Sequence, residues 1–435
     1  MSGASGSVAF RDALAVWARI GLLSFGGPAG QIALMHRVIV AEKRWLDEPR
    51  FLHALNYCML LPGPEAQQLA TYIGWLLNGV RGGVVAGVLF ILPGALAILA
   101  LSVLYVQLGD LTAVEGLFFG LKAAVVAIVL QALMRIASRA LQGVQHWLLA
   151  SAAFVALWAF NVPFPLVVLG AVVVGYVGAR WFAGGADKGN AAPAGPVDTV
   201  HRPGTARAAI VCAALWVATL LALVVLLGTD DVYTRLAGFF SLMAMVTFGG
   251  AYAVLAWVAQ QAVEHYQWMQ PGEMLDGLAL AETTPGPLIL VTQFVGFLAA
   301  LRESGGALWA GVLGALVTTW VTFLPCFLWI FAGAPFVERL RGHRALSAAL
   351  AAITAAVVGV IASLALWFVI NFLFDDRVRI QVAGFDVLLP VPASLSLPAL
   401  ALSLFALAIV FVLRAGVLAV LAGCGLLGVL WTVFF

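Results

Sequence analysis

The chain has 435 residues, 63% of them hydrophobic and 10% charged, with a net charge of +2 and a mean hydropathy of +1.07. Soluble domains are about 45–50% apolar and about 25% charged, which excludes a water-soluble enzyme, a nucleic-acid-binding protein and a soluble domain on a single anchor. The lipid bilayer is the expected surrounding, and the placement of charges says more than their sum.

Met1 to Arg11 is small and polar, with no basic stretch leading into an apolar core, so no signal peptide is expected. Ser24-Phe25-Gly26-Gly27-Pro28 then interrupts the first apolar segment; the two glycines free the backbone and Pro28 suits the first turn of a following half-helix. His36, Arg37, Lys43 and Arg44, followed by Trp45, read as a cytoplasmic topology signal with an interfacial tryptophan. Collecting anions at an entrance is the second reading of that run.

Pro62-Gly63-Pro64 cannot continue a helix, because each proline lacks an N–H and forces the residue before it towards extended geometry. Pro64 is placed to open a new helix through Glu65, Gln67, Gln68 and Thr71, whose N-terminus carries about half a positive charge and can hold an anion. Such a break is tolerated in hydrocarbon only where protein or a water-filled cavity surrounds it; the bland reading is close packing and kinks. Gly83–Gln107, Ala113–Met134, Trp147–Phe160 and Pro163–Trp181 read as full spans. Lys122 lies mid-span, where an unpaired charge costs from a few to over about ten kcal/mol. It is expected to face a site; the structural alternatives are pairing with Glu65 or Glu115, or snorkelling to an interface.

The chain then repeats itself. At an offset of 223 residues, Ser24-Phe25-Gly26-Gly27 returns as Thr247-Phe248-Gly249-Gly250, Trp45 as Trp268 and Pro62-Gly63-Pro64 as Pro285-Gly286-Pro287. After an insertion of nine residues the match resumes, pairing Leu92-Pro93 with Leu324-Pro325 and Lys122 with Thr354. Such self-similarity implies two copies of one unit: a first membrane repeat over residues 1–182, a Gly-, Ala- and Pro-rich aqueous linker over 183–206, and an extra apolar helix plus the second repeat over 207–435. One additional crossing between two even-numbered units makes the second enter from the opposite face, an inverted-topology pair. With the N-terminus in the cytoplasm, seventeen Lys and Arg fall inside and four outside, with Lys122 within the membrane, as the positive-inside rule requires. The count depends on the Phe-Gly-Gly and Pro-Gly-Pro segments turning back; a version in which each of them crosses is the alternative.

The expected fold is thus an all-α polytopic membrane protein of two inverted repeats with discontinuous helices. Phe25, Gly26, Gly27, Pro62, Gly63, Pro64, Glu65, Gln67, Gln68, Lys122, Phe248, Gly249, Gly250, Glu282, Thr283, Thr284, Pro285, Gly286 and Pro287 form the candidate substrate site, with Lys122 as its fixed charge. Glu65 and Glu282 flank the two Pro-Gly-Pro breaks and could carry a proton or cap a half-helix. Cys58, Cys212, Cys326 and Cys424 are scattered through apolar runs, unlike a disulfide framework or metal set. There is no HExxH, nucleophile elbow or Walker loop, so neither catalysis, ATP hydrolysis, a metal nor another cofactor is expected.

Phe25-Gly26-Gly27-Pro28, Gly30-Gln31-Ile32-Ala33, Arg44-Trp45 and Leu60 through Ala70, with Ala281-Glu282-Thr283-Thr284-Pro285-Gly286-Pro287 in the second copy, closely resemble the chromate ion transporter family in its long, two-domain form. The resemblance covers nearly the whole chain. It implies export of chromate from the bacterial cytoplasm across the inner membrane, with sulfate as isosteric competitor, and marks Lys122 as a family-typical basic position. The alternatives within reach of the same motifs are a sulfate or molybdate carrier, an anion channel and a membrane-embedded enzyme on a phosphorylated lipid. A homodimer is left open.

Overall fold

The computed structural model describes residues 8–109, 111–182, 204–248, 250–333, 344–382 and 384–434. The linker residues 183–203 and Gly249 of the second Phe-Gly-Gly motif lie outside the described residues. The protein is an all-α membrane protein: six helices among the described residues are long and apolar enough to cross a bilayer, and the only strands among them form one antiparallel hairpin, Arg377–Val382 paired with Phe385–Pro390. The sequence reading had not anticipated that hairpin.

The elements follow the motifs. Helix α1 (Phe10–Leu23) stops at Ser24 and α2 (Gly27–His36) starts beyond it; α3 (Glu48–Cys58) stops ahead of Pro62, and α4 (Glu65–Leu108) begins one residue after Pro64. Within α4 the backbone leaves helical geometry at Asn78 and Gly79, so it consists of a half-helix and a long span. Helices α5 (Thr112–Ala140), α6 (Val144–Phe160), α7 (Phe164–Val177) and the short α8 (Ala179–Phe182) complete the first copy. The extra helix is α9 (Thr205–Leu227), close to the expected 207–227. Then come α10 (Val232–Val246), α11 (Ala251–Ala259), α12 (Pro271–Thr283), α13 (Val291–Glu303), α14 (Leu308–Gly333), α15 (Arg344–Leu373), α16 (Leu397–Leu407) and α17 (Val417–Phe434).

The 223-residue offset is visible in the backbone itself. Arg37–Glu42 and Gln260–His265 are both π-helical turns. Arg44 and Gln267 both take left-handed geometry, at φ 52° and 54°. The N–H of Trp45 bonds the carbonyl of Ile39, and that of Trp268 the carbonyl of Ala262.

The chain condenses into two compact units, and each draws on both copies. The first comprises Met1–Ser102, Ala191–Ala251 and Thr284–Gly342; the second comprises Val103–Asn190, Tyr252–Thr283 and His343–Phe435. In the first unit α13 packs on α14, and α14 on α9 and α10. There α1 and α2 double back on one another: Arg19 Nη1 lies 3.0 Å from Glu42 Oε2, whereas a continuous helix would separate those residues by about 35 Å. That segment therefore turns back instead of crossing.

In the second unit α5 and α15 are the central helices, α5 carrying α17 and α15 carrying α6 and α7. Helix α5 meets α17 through glycines, because no hydrophobic force drives two apolar helices together in lipid and close backbone approach must serve instead. A Cβ on Gly120 would sit 1.9 Å from the Cys424 carbonyl oxygen, and one on Gly428 would sit 2.1 Å from that of Gly116. Nothing lies within 4 Å of a Cβ on Gly170 of α7. Overpacking costs about 1–3 kcal/mol and more when backbone is struck. Gly120→Leu is therefore expected to lower the midpoint of thermal unfolding in detergent by several degrees or abolish accumulation, and Gly170→Leu to leave both unchanged.

Candidate functional site

Ends of broken helices meet in the first unit, and they meet across the repeat. The hydroxyl of Ser24 bonds the Ile20 carbonyl at 2.6 Å, and that of Thr247 bonds the Met243 carbonyl at 2.6 Å. Each thus serves a last-turn carbonyl that has lost its helical partner. The carbonyls of the same two residues then bind the other copy's Pro-Gly-Pro turn. Gly63 N–H donates to Thr247 O at 2.8 Å, and Gly286 N–H donates to Ser24 O at 2.9 Å. These bonds are equivalent under the offset, so each copy completes the broken helix of its twin.

The turns demand glycine at these points. Gly63 has φ +126° and Gly286 φ +93°, a region that costs other residues about 1–2 kcal/mol. A Cβ on Gly63 would also meet Gln68 Nε2 at 2.8 Å and Cys326 Sγ at 3.0 Å. Gly26, Gly27 and Gly250 take positive φ as well, and no side chain caps α2. Its first N–H groups therefore have no helical carbonyl and no capping side chain from Gly26 to bind.

Two buried glutamines close the carbonyl side of the turns. Gln68 Nε2 donates to Pro62 O at 2.7 Å, and Gln31 Nε2 to Gly286 O at 2.5 Å. Gln67 Nε2 reaches Thr71 Oγ1 at 3.0 Å. The side-chain oxygens of Gln31, Gln67 and Gln68 are buried without a hydrogen-bond partner among the described residues. This polar shell belongs to the first copy alone: Glu65, Gln67, Gln68 and Thr71 correspond to Leu288, Leu290, Val291 and Phe294, and Gln31 to Val254. Thr284 is buried in the same unit. Pro287 caps a short 3₁₀ turn, Leu288–Leu290, that leads into α13.

Lys122, Glu282 and Thr283 fall in the second unit. Glu282 is buried and accepts a 2.5 Å hydrogen bond from Tyr252, while Thr283 Oγ1 donates to the Leu280 carbonyl. Lys122 Nζ lies 3.3 Å from Asp276 Oδ2, and the Tyr105 hydroxyl donates to the same oxygen at 3.0 Å. The ion pair is thus with Asp276, where the sequence had offered Glu65 and Glu115. Asp276 was missed, yet its signal was present: a lone carboxylate in the apolar stretch Met274–Ala281 demands a partner in a membrane.

A second polar group in this unit joins the hairpin to the helices. Arg379 Nη2 lies 2.6 Å from Glu264 Oε2 and Nε 3.4 Å from Asp386 Oδ1, while Asn161 Nδ2 donates to Asp386 Oδ2 at 3.2 Å. Among the described residues no group of His, Cys, Asp and Glu could hold a metal ion.

The family model described as "Chromate transporter" matches residues 11–176 and 234–429. The chain is 33% identical to a chromate transport protein of Pseudomonas aeruginosa, over 79% of this chain and 77% of that one. It is 28% identical to a chromate transport protein of Cupriavidus metallidurans, over 81% and 80%. An uncharacterized transporter of Methanocaldococcus jannaschii is 24% identical, over 80% and 82%. No solved structure matches the chain.

If the paired turns form the working centre, Gly63→Ala and Gly286→Ala should each lower transport of the cargo by at least about tenfold with the protein still in the membrane. The check is initial flux in vesicles normalised to protein by immunoblot.

Proposed function

The chain belongs to the chromate transporter family, and on that premise we propose that it is a secondary transporter exporting chromate from the bacterial cytoplasm across the inner membrane. The observation that carries a transporter reading is the exchange of hydrogen bonds between Gly63 and Thr247 and between Gly286 and Ser24. Discontinuous helices paired across two copies are how secondary transporters build a central site. The half-helices that begin beyond Phe25, Gly26 and Gly27, beyond Pro62, Gly63 and Pro64, and beyond Phe248, Gly250 and the Pro285, Gly286 and Pro287 turn offer the N–H groups of their first turns and their dipoles to a tetrahedral oxyanion. The amides of Gln67 and Gln68, which can turn NH₂ or oxygen to a neighbour, adapt the first copy's turn to its cargo; Lys122, within the second unit, is by itself the candidate cationic contact for an anion. Sulfate, of the same shape and charge, competes.

Contacts in the first unit support the inverted arrangement. Asn78 Nδ2 donates to the Val8 carbonyl at 2.7 Å, and Trp75 Nε1 to Thr205 Oγ1 at 3.0 Å, so the first half-helix of α4 ends beside the start of the chain and beside the start of α9. Helix α9, 23 residues long, spans about 34 Å and delivers α10 to the other face. With the N-terminus cytoplasmic, cysteines placed at Arg81 and Gly228 should react with an impermeant thiol reagent from the cytoplasmic and periplasmic sides respectively. Labelling of both from one side would overturn the inversion.

Energetics favour export. A dianion leaving a cell that is negative inside gains about 4.6 kcal/mol per 100 mV, roughly three powers of ten in concentration ratio. Glu65 and Glu282, which flank the two Pro-Gly-Pro motifs in the sequence, are the candidates for carrying a proton with or against the anion, but the potential suffices without it. In everted vesicles holding an inside-positive potential, chromate should accumulate, excess sulfate should inhibit, and Lys122→Ala should remove at least about 90% of the flux. Absence of potential-dependent uptake above empty vesicles, with the protein present, would refute the reading.

A further inference from the structure

The ionic arrangement around Lys122 is one-sided, and that is its most telling property. The Asp276 side chain is 5% exposed and the Lys122 side chain 23%, so the lysine is open where the aspartate is closed. A glycine, Gly272, faces the ammonium: a Cβ there would lie 3.4 Å from Nζ, leaving room on that side. On the carboxylate, Oδ2 takes both Lys122 and the Tyr105 hydroxyl, while Oδ1 is buried with no hydrogen-bond partner among the described residues. The neighbouring Glu273 is occupied by the Gln270 N–H at 2.6 Å. Among the described residues the Lys122 ion pair is with one oxygen, Asp276 Oδ2, and Tyr105 remains to hold the carboxylate when the lysine lets go.

Resting on the transport reading above, we infer that Asp276 is an internal stand-in for the cargo: the carboxylate and the oxyanion alternate on Lys122. In the empty carrier the pair is electrically neutral, which allows the site to be occluded and reoriented without moving a bare charge through a low-dielectric barrier. When the dianion arrives from the open side, Lys122 turns to it and Asp276 stays with Tyr105. No bond is made or broken in this exchange of partners. The pair has no counterpart in the other copy, where Thr354 stands for Lys122 and His53 for Asp276, so each carrier has one such switch.

Such a stand-in has a signature distinct from a structural ion pair. Removing it should help the anion bind and hinder the empty carrier's return. The full chain is reconstituted in liposomes with chromate as the probe, and two rates are taken: exchange of labelled against unlabelled chromate, and net potential-driven flux. In Asp276→Asn the half-saturating chromate concentration for exchange should fall several-fold, and the ratio of exchange to net flux should rise at least tenfold; Asp276→Glu should restore most of the wild-type ratio. An unchanged ratio, or equal loss of both rates, overturns the stand-in while leaving the transport reading intact. Absence of saturable chromate flux in the wild type overturns both. Should Asp276→Asn not accumulate, the double variant Lys122→Gln with Asp276→Asn, which leaves no unpaired charge, decides the matter. It should accumulate and carry no saturable chromate flux; wild-type flux in it, or its own failure to accumulate, overturns the proposal.

Discussion

A peptide group in hydrocarbon must find a hydrogen-bond partner within the protein, and the first unit is organised around that requirement. Four helices are broken by Phe-Gly-Gly and Pro-Gly-Pro motifs, and each break strands carbonyl and N–H groups. The chain resolves this by letting one copy serve the other: the Ser24 and Thr247 carbonyls take the Gly286 and Gly63 N–H groups. Each of those carbonyls lies at the end of a helix whose own ladder has stopped. The glutamine amides of Gln31 and Gln68 then cover the carbonyls of the two turns. In this chain each copy's Pro-Gly-Pro turn is thus bonded by the other copy.

Much of this was legible in the sequence because the signals are backbone signals. Proline removes a donor and glycine permits positive φ irrespective of what surrounds them, so Pro62-Gly63-Pro64 and Gly26-Gly27 announce their own geometry. The offset repeat did the same for Arg44 and Gln267, whose common backbone conformation is a property of the register. What stayed hidden depends on three-dimensional proximity. Asp276 carries its demand for a partner in the sequence, but nothing in the spacing says that Lys122 answers it. The hairpin at Arg377–Pro390 follows a long apolar helix; the alternation Arg377-Val378-Arg379-Ile380-Gln381-Val382 is a strand signal, but six residues of it are easily passed over beside a helix of thirty. The compact units were hidden for a related reason: the repeats divide the chain in sequence, while the packing mixes segments of both into each unit.

The buried ionic group shows the same economy in charge that the turns show in hydrogen bonds. A lysine alone in a membrane interior is expensive, and an aspartate alone equally so; together they are tolerable, and Tyr105 reduces the cost of the carboxylate further. Such pairs contribute little net stability compared with apolar side chains of the same volume.

The polar shell of Gln31, Glu65, Gln67, Gln68 and Thr71 exists in one copy, and the other copy fills the corresponding places with Val254, Leu288, Leu290, Val291 and Phe294. Two inverted copies of identical chemistry would make the inward-open and outward-open forms equal in energy by symmetry, and the protein would rest in either with the same frequency. With these five places polar in one copy and apolar in the other, that degeneracy is lifted. On the proposed transport reading, the carrier then has a preferred resting orientation and different half-saturation constants at its two faces, while the final gradient it sustains is still set by the driving force alone.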